Sequence, residues 1–219
     1  METDNISAAA VDGSVKENQV GKPAAWPKRW LTLFALAAGH FVDQGEGQSL
    51  SVLFPAMRAA LNMSYADLGQ ISGWRNILQS VGSPVWGYLA DRFSRKWIIV
   101  FGTGIWGIWT LACGFANNYS ELFWLRIIAG IGLGCLLPPT FSMIGDMFGP
   151  AERGRANGVL ASVGFVGIIL SVLVLGWMLN IPSLGWRWGF YTLGAASVLS
   201  GVIIAIFVKE PPRGAAEPE

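Results

Sequence analysis

Ionisable side chains stand at helical spacing inside stretches that are otherwise apolar. His40, Asp43 and Glu46 recur every three residues on one broad helical face, which Gln44 and Gln48 extend in four-residue steps from His40. Arg75 lies in a second apolar stretch with Asn76 and Gln79, and Arg126 lies in a fourth. Charges inside lipid are costly, so they pair with one another or mark a pathway. The chemistry open to this set is proton uptake and release, recognition of a charged headgroup, or a static ion pair that fixes helix packing. His40 changes charge near neutral pH and could relay a proton, or it could simply satisfy a hydrogen bond.

A second constellation stands between the second and third stretches: Gly87-Tyr88-Leu89-Ala90-Asp91-Arg92-Phe93-Ser94-Arg95-Lys96. It combines a glycine that permits close helix contact, an acid able to face a helix N-terminus or a cation, and three bases. Bases alone would follow from membrane topology, whereas the glycine and the acid at this spacing would not.

The elements that must hold these groups follow from composition. Of 219 residues 53% are hydrophobic and 13% charged, against about 25% charged in a soluble domain. The charges cluster in short segments. Between them lie six runs near the ~20 residues that span a bilayer as helix, at about 30–61, 67–90, 97–116, 122–148, 156–179 and 188–208. Barrel strands are excluded by run length and by the lack of alternation. Trp26, Trp30, Trp97, Trp124, Trp186 and Trp188 fall near run ends, where amphipathic rings prefer the interface. One side receives Lys16, Lys22, Lys28, Arg29, Arg92, Arg95, Lys96, Arg153, Arg155, Lys209 and Arg213, and the other only Arg58 and Arg187. This bias predicts both termini in the cytoplasm; the expected location is the cell (inner) membrane. From a rise of ~1.5 Å per residue, Asp43, Glu46, Arg75 and Arg126 all fall roughly 18–22 Å above the cytoplasmic edge. The expectation is a pair between Glu46 and Arg126, with Asp43 near Arg75.

Residues 1–29 are polar and predict a disordered cytoplasmic tail, and 209–219 the start of a central cytoplasmic loop or tail. A net charge of +1 gives no footprint for nucleic acid. Cys113 and Cys135 fall in apolar runs and read as small buried hydrophobes; no cofactor or metal is expected. Glycine clusters at Gly102–Gly107, Gly130–Gly134 and Gly164–Gly167 predict close helix approach, and Pro138-Pro139 a bend in the fourth run.

The Gly87–Lys96 segment resembles the signature loop of the major facilitator superfamily, roughly Gly-x-Leu-x-Asp-Arg-x-Gly-Arg-Lys, with Ser94 replacing the second glycine. Arg126 followed by Gly130 and Gly132 is similar to the superfamily's second motif. Asp146 looks like the partner of the loop arginines. Within the superfamily, Gly-Tyr-Leu-x-Asp-Arg, the tail Lys209-Glu210-Pro211-Pro212-Arg213-Gly214 and Pro55 are similar to spinster-like members, which usually carry an acid where this chain has Leu133. The resemblance implies an all-α membrane protein with six transmembrane helices, one half of a major-facilitator fold built as two inverted three-helix repeats. It further implies a secondary transporter of a small organic or amphipathic solute, working by alternating access and coupled to protons. His40, Asp43, Glu46, Arg75 and Arg126 would form the substrate or proton pathway. Gly87, Asp91, Arg92, Arg95, Lys96 and Asp146 would form the gating motif. The expected partners are the lipid bilayer, the solute, and a missing C-terminal six-helix half or a second copy.

Other classes fit less well. An intramembrane serine protease needs a serine nucleophile beside a histidine base. Ser49 follows Gly47-Gln48, but the only histidine, His40, lies on the same helix, over two turns below. No filter run or paired Asn-Pro-Ala box points to a channel. A non-transporting half that serves as a subunit or regulatory partner of a full transporter is the alternative.

Overall fold

The computed structural model describes residues 28–181 and 183–216; Lys16, Lys22, Trp26 and the rest of the 1–27 segment lie outside them. All regular structure among the described residues is helical: α1 (Arg29–Leu61), α2 (Tyr65–Arg92), α3 (Arg95–Val100), a π-helical turn (Phe101–Ile105), α4 (Gly107–Cys113), α5 (Tyr119–Leu133), α6 (Leu137–Met147), α7 (Pro150–Leu179) and α8 (Gly185–Phe207). Among the described residues four rods are long and apolar enough to cross a membrane: Arg95–Cys113 (the third rod along the chain, after α1 and α2), Tyr119–Met147 (the fourth), α7 and α8. The first two helices have the length, at 33 and 28 residues, but carry the polar and charged side chains that lower their hydropathy.

Several boundaries move outward from the hydrophobic runs because polar caps begin the helices. The Ser64 hydroxyl accepts from the Asp67 N–H, and the Asp67 carboxylate accepts from the Ser64 N–H at 2.7 Å. This capping box starts α2 at Tyr65. Asn118 accepts from the Glu121 N–H and starts α5 at Tyr119. Pro150, at the first turn, starts α7 six residues ahead of the expected apolar start at 156. Two expected continuous helices are interrupted. The fourth run breaks between Leu133 and Leu137, because Pro138 and Pro139 lack the N–H groups that would carry the helical ladder across this point. The third run carries a π turn at Phe101–Ile105, where Thr103 donates to the Ile99 carbonyl.

In lipid, helices associate by close backbone packing rather than by burial from water. A Cβ added at Gly104 would stand 3.2 Å from the Gly201 Cα, so the third rod and α8 cross almost backbone to backbone. A Cβ at Gly167 would collide with the Phe41 carbonyl, which locks α7 against α1. Two apolar clusters flank the middle of the bundle. One gathers Leu33, Leu36, Ile99, Met143, Phe148 and Ile204, and the other Leu50, Leu53, Met57, Leu122, Trp186 and Phe190. Along α1, Asp43 and Glu46 fall between them.

Candidate functional site

α1, the third rod and α5 converge on Glu46. Arg126 on α5 is fully buried, Glu46 is 3% exposed, and their Nη1 and Oε1 atoms stand 3.6 Å apart. The Thr110 hydroxyl donates to Glu46 Oε1 at 2.5 Å. Arg126 Nη2 donates to the Ser49 hydroxyl at 3.2 Å, and Ser49 in turn donates to the Glu46 carbonyl oxygen at 2.7 Å. The Phe190 ring of α8 lies under the guanidinium at 5.5 Å from its centroid, a cation–π contact. Arg126 Nε and Nη1 make no hydrogen bond among the described residues, so the guanidinium keeps donor capacity in hand.

Asp43 is half-buried and makes no ion pair within 4 Å among the described residues. It lines a narrow cleft with Glu46, Thr103, Trp106, Thr110 and Leu133. Asp43 and Arg75, expected near each other, form no ion pair within 4 Å among the described residues. Arg75 Nη1 donates instead to the Gly47 carbonyl at 3.3 Å, because the open position at Gly47 lets the side chain cross onto the α1 backbone. Gly130 makes room for the Arg75 stem: an added Cβ there would stand 2.9 Å from Arg75 Cγ. His40 is buried and packs on Gly164 of α7, away from the ion pair, and its Nδ1 makes no hydrogen bond among the described residues.

The second constellation divides. Arg95, 2% exposed, is its centre. Its Nη1 pairs with Asp146 of α6 and donates to the Ser142 hydroxyl at 2.9 Å. Its Nε donates to Glu210 at 3.2 Å and its Nη2 to the Pro211 carbonyl at 3.0 Å. Glu210 also accepts from the Arg95 backbone N–H at 3.0 Å and from the Ser94 hydroxyl. Asp146 accepts from the Gly214 N–H at 2.9 Å, and Arg213 donates to the Ala90 carbonyl. The segment after α8 is thereby fastened across the Arg92–Arg95 turn. Asp91 and Arg92 are exposed instead, Arg92 over the Tyr88 ring, and Lys96 lies over Trp97. The expected close contact at Gly87 is not found: an added Cβ would meet Pro138 only at 3.7 Å, ordinary van der Waals distance.

Thr110, Ser49, Phe190 and Glu210 escape a reading by apolar runs. Each lies far in sequence from its partner, and a threonine or serine in a helix carries no signal of its own. Ser94 is the exception in hindsight: a hydroxyl where the loop pattern has glycine fits a nearby acceptor, and Glu210 supplies it.

Burial would raise the Glu210 carboxyl. Hydrogen bonds from Ser94 and Arg95 and the Arg95 charge outweigh it and hold the group below its ordinary 4.5. The sign follows by linkage: a depressed folded pKa gives stability present above the unfolded value and lost as pH falls through the folded one. Thermal midpoints in detergent from about pH 6 to about pH 3.5 should therefore fall more steeply for the native chain than for Glu210→Gln.

A family model described as Major Facilitator Superfamily matches residues 33–219. Multidrug resistance protein 3 of Bacillus subtilis (strain 168) is 33% identical over 175 residues, covering 75% of this chain and 34% of that protein. The probable sulfoacetate transporter SauU of Cupriavidus necator is 27% identical over 184 residues, covering 84% of this chain and 42% of that protein. Among solved structures, a bacterial homolog to the human lysosomal transporter Spinster, inward-facing and occupied, is 26% identical with a TM-score of 0.79, covering 88% of this chain and 47% of the other. The proton:xylose symporter XylE is similar in fold, with a TM-score of 0.73 at 17% identity, covering 84% of this chain and 45% of the other. The chain spans less than half the length of each.

Proposed function

The chain belongs to the major facilitator superfamily, a family of membrane transport proteins and not enzymes, and from that premise we propose that it forms a six-helix half of a proton-coupled secondary transporter. The observation that carries the proposal is the buried Glu46–Arg126 pair beside a cleft in which Asp43 has no ion-pair partner among the described residues. One acid is held by a cation and a hydroxyl, and a second stands three residues away, free to take a proton or a cationic group. Protonation of Glu46 would release Arg126 toward an anionic or polar part of the solute, and its deprotonation would recapture it. A small organic or amphipathic solute suits a site with one charged level between two apolar clusters.

The six spans are α1, α2, the rods Arg95–Cys113 and Tyr119–Met147, α7 and α8, arranged as two inverted three-helix repeats. The end that carries Arg29, Arg95, Arg153 and Arg213 is the cytoplasmic one, in the cell membrane. The stretch 30–208 forms the bundle and 209–219 begins a central loop, while the tail expected over 1–29 lies, but for Lys28 and Arg29, outside the described residues. A second six-helix half completes the cavity. Two features support this: Trp74, Ile77, Val81, Val85 and Tyr88 form an exposed apolar stripe on α2, and Asp91 beyond it is unpaired among the described residues.

The test is reconstitution of the natively expressed product in liposomes loaded with a pH-sensitive dye, challenged with organic anions, cations and zwitterionic amphiphiles. An internal pH change that requires both the solute and the protein is the expected result. Solute flux with no proton movement would remove the coupling from the proposal, and no flux for any class would remove transport.

A further inference from the structure

A long apolar groove opens on the side of α1 turned away from the ion pair. Two cavities of about 280 and 380 Å³ share Phe41, Val42 and Ala196, so they form one trough between α1, α7 and α8. By the helical angle of ~100° per residue, its α1 wall lies about 140° around from Asp43 and Glu46, outside the solute cleft. Small side chains, Ala38, Gly45 and Ala196, leave it open. The hydroxyls on its walls have their donors engaged within the helices and bundle. Ser171 donates to the Gly45 carbonyl, Thr192 to the Trp188 carbonyl and Ser200 to the Ser197 carbonyl. From Phe34 to Gly45 the trough extends about 16 Å along α1, close to half the ~30 Å hydrocarbon core. It is one leaflet deep.

Its end is marked by charge. Phe34 packs toward Trp30 with ring centroids 6.5 Å apart, and the Arg155 guanidinium stands over the Trp30 ring at 5.5 Å. Arg155 is exposed and has no carboxylate within 4 Å among the described residues. The neighbouring Glu152 is already held by Arg29 at 2.6 Å. A tryptophan at the interface, a free cation above it and an apolar trough of leaflet depth below it match the parts of one molecule. We propose that this groove is a binding site for an anionic phospholipid, its acyl chain between α1, α7 and α8 and its phosphate at Arg155. The site rests on the membrane-spanning reading above but not on transport.

The test places the natively expressed product in phosphatidylcholine nanodiscs doped with phosphatidylglycerol bearing a photoreactive acyl chain, or with the matching phosphatidylcholine probe. Crosslinks should concentrate on peptides holding Phe34, Phe41, Val163 and Ile203, several-fold higher for the anionic probe. Ala196→Phe, or the milder Ala38→Leu, should lower labelling by both probes several-fold. Arg155→Gln should erase the preference for the anionic one. Labelling spread over all exposed helices (annular lipid only), or unchanged by these variants, would overturn the site. A failed dye assay beside groove-specific labelling would remove transport alone. The converse would remove the lipid site alone.

Discussion

With Glu46→Gln, solute exchange across the membrane continues but accumulation driven by a proton gradient is lost. The glutamine retains the shape of the side chain and can still accept from Thr110, so the helices keep their positions. It can neither bind nor release a proton, and it no longer neutralises Arg126, which is fully buried. Removing one partner of a buried, hydrogen-bonded charge pair costs about 3–5 kcal/mol. The single variant should therefore lose thermal stability as well as coupling, its gradient-driven accumulation falling to the level of passive exchange. Adding Arg126→Met to Glu46→Gln separates the two roles of the pair. The double variant should recover thermal stability, because no charge is left uncompensated, while coupling stays lost. Recovery of proton-driven accumulation in the double variant would show that the pair only fixes packing.

Arg95→Leu should be the most damaging change outside the membrane core. It strips the cation from Asp146 and Glu210 together and leaves the Pro211 carbonyl and Ser142 hydroxyl without their donor. Breaking a buried pair costs about 3–5 kcal/mol, which a domain of this size registers as on the order of 10 °C in thermal midpoint. Arg95→Lys should recover little, because one ammonium cannot reach both carboxylates and the carbonyl as the planar fork does. The segment after α8 should become open to proteases at Arg213, which scanning calorimetry paired with limited trypsin digestion would detect. A midpoint within a degree or two of the native chain would mean that the fastening carries no load.

The helices and the polar level were legible because membrane chemistry writes them in long strokes. Apolar runs near twenty residues, lysine and arginine at their ends, and acids at three-residue spacing all survive without knowledge of the fold. Depth put Glu46 and Arg126 at one level together with Asp43 and Arg75, and the family resemblance, in which the first and fourth helices both line the central cavity, singled out their pairing. What the sequence hid was lateral geometry. Arg75 lies at the right depth for Asp43, yet Gly47 opens a nearer acceptor on the backbone, and a glycine's effect on a neighbouring helix has no sequence signature. The π turn at Phe101–Ile105 was hidden for the same reason. Arg95 was visible as one of several loop bases with Asp146 as their expected partner, but not as the buried hub of a network that also holds Glu210. Its partners Asp146 and Glu210 lie 51 and 115 residues away, and only folding decides which of several nearby bases turns inward.

The central claim is that the level of Asp43 and Glu46 is reached from one side of the membrane at a time. Its direct measurement is labelling of Asp43→Cys by membrane-impermeant thiol reagents from each side, with Cys113 and Cys135 replaced by Ser and Glu46 left intact. Reactivity that falls on one face as it rises on the other, when solute or proton gradient is applied, is the result expected here. A cysteine that no reagent reaches from either face under any condition would contradict it, and the buried pair would then be structural alone.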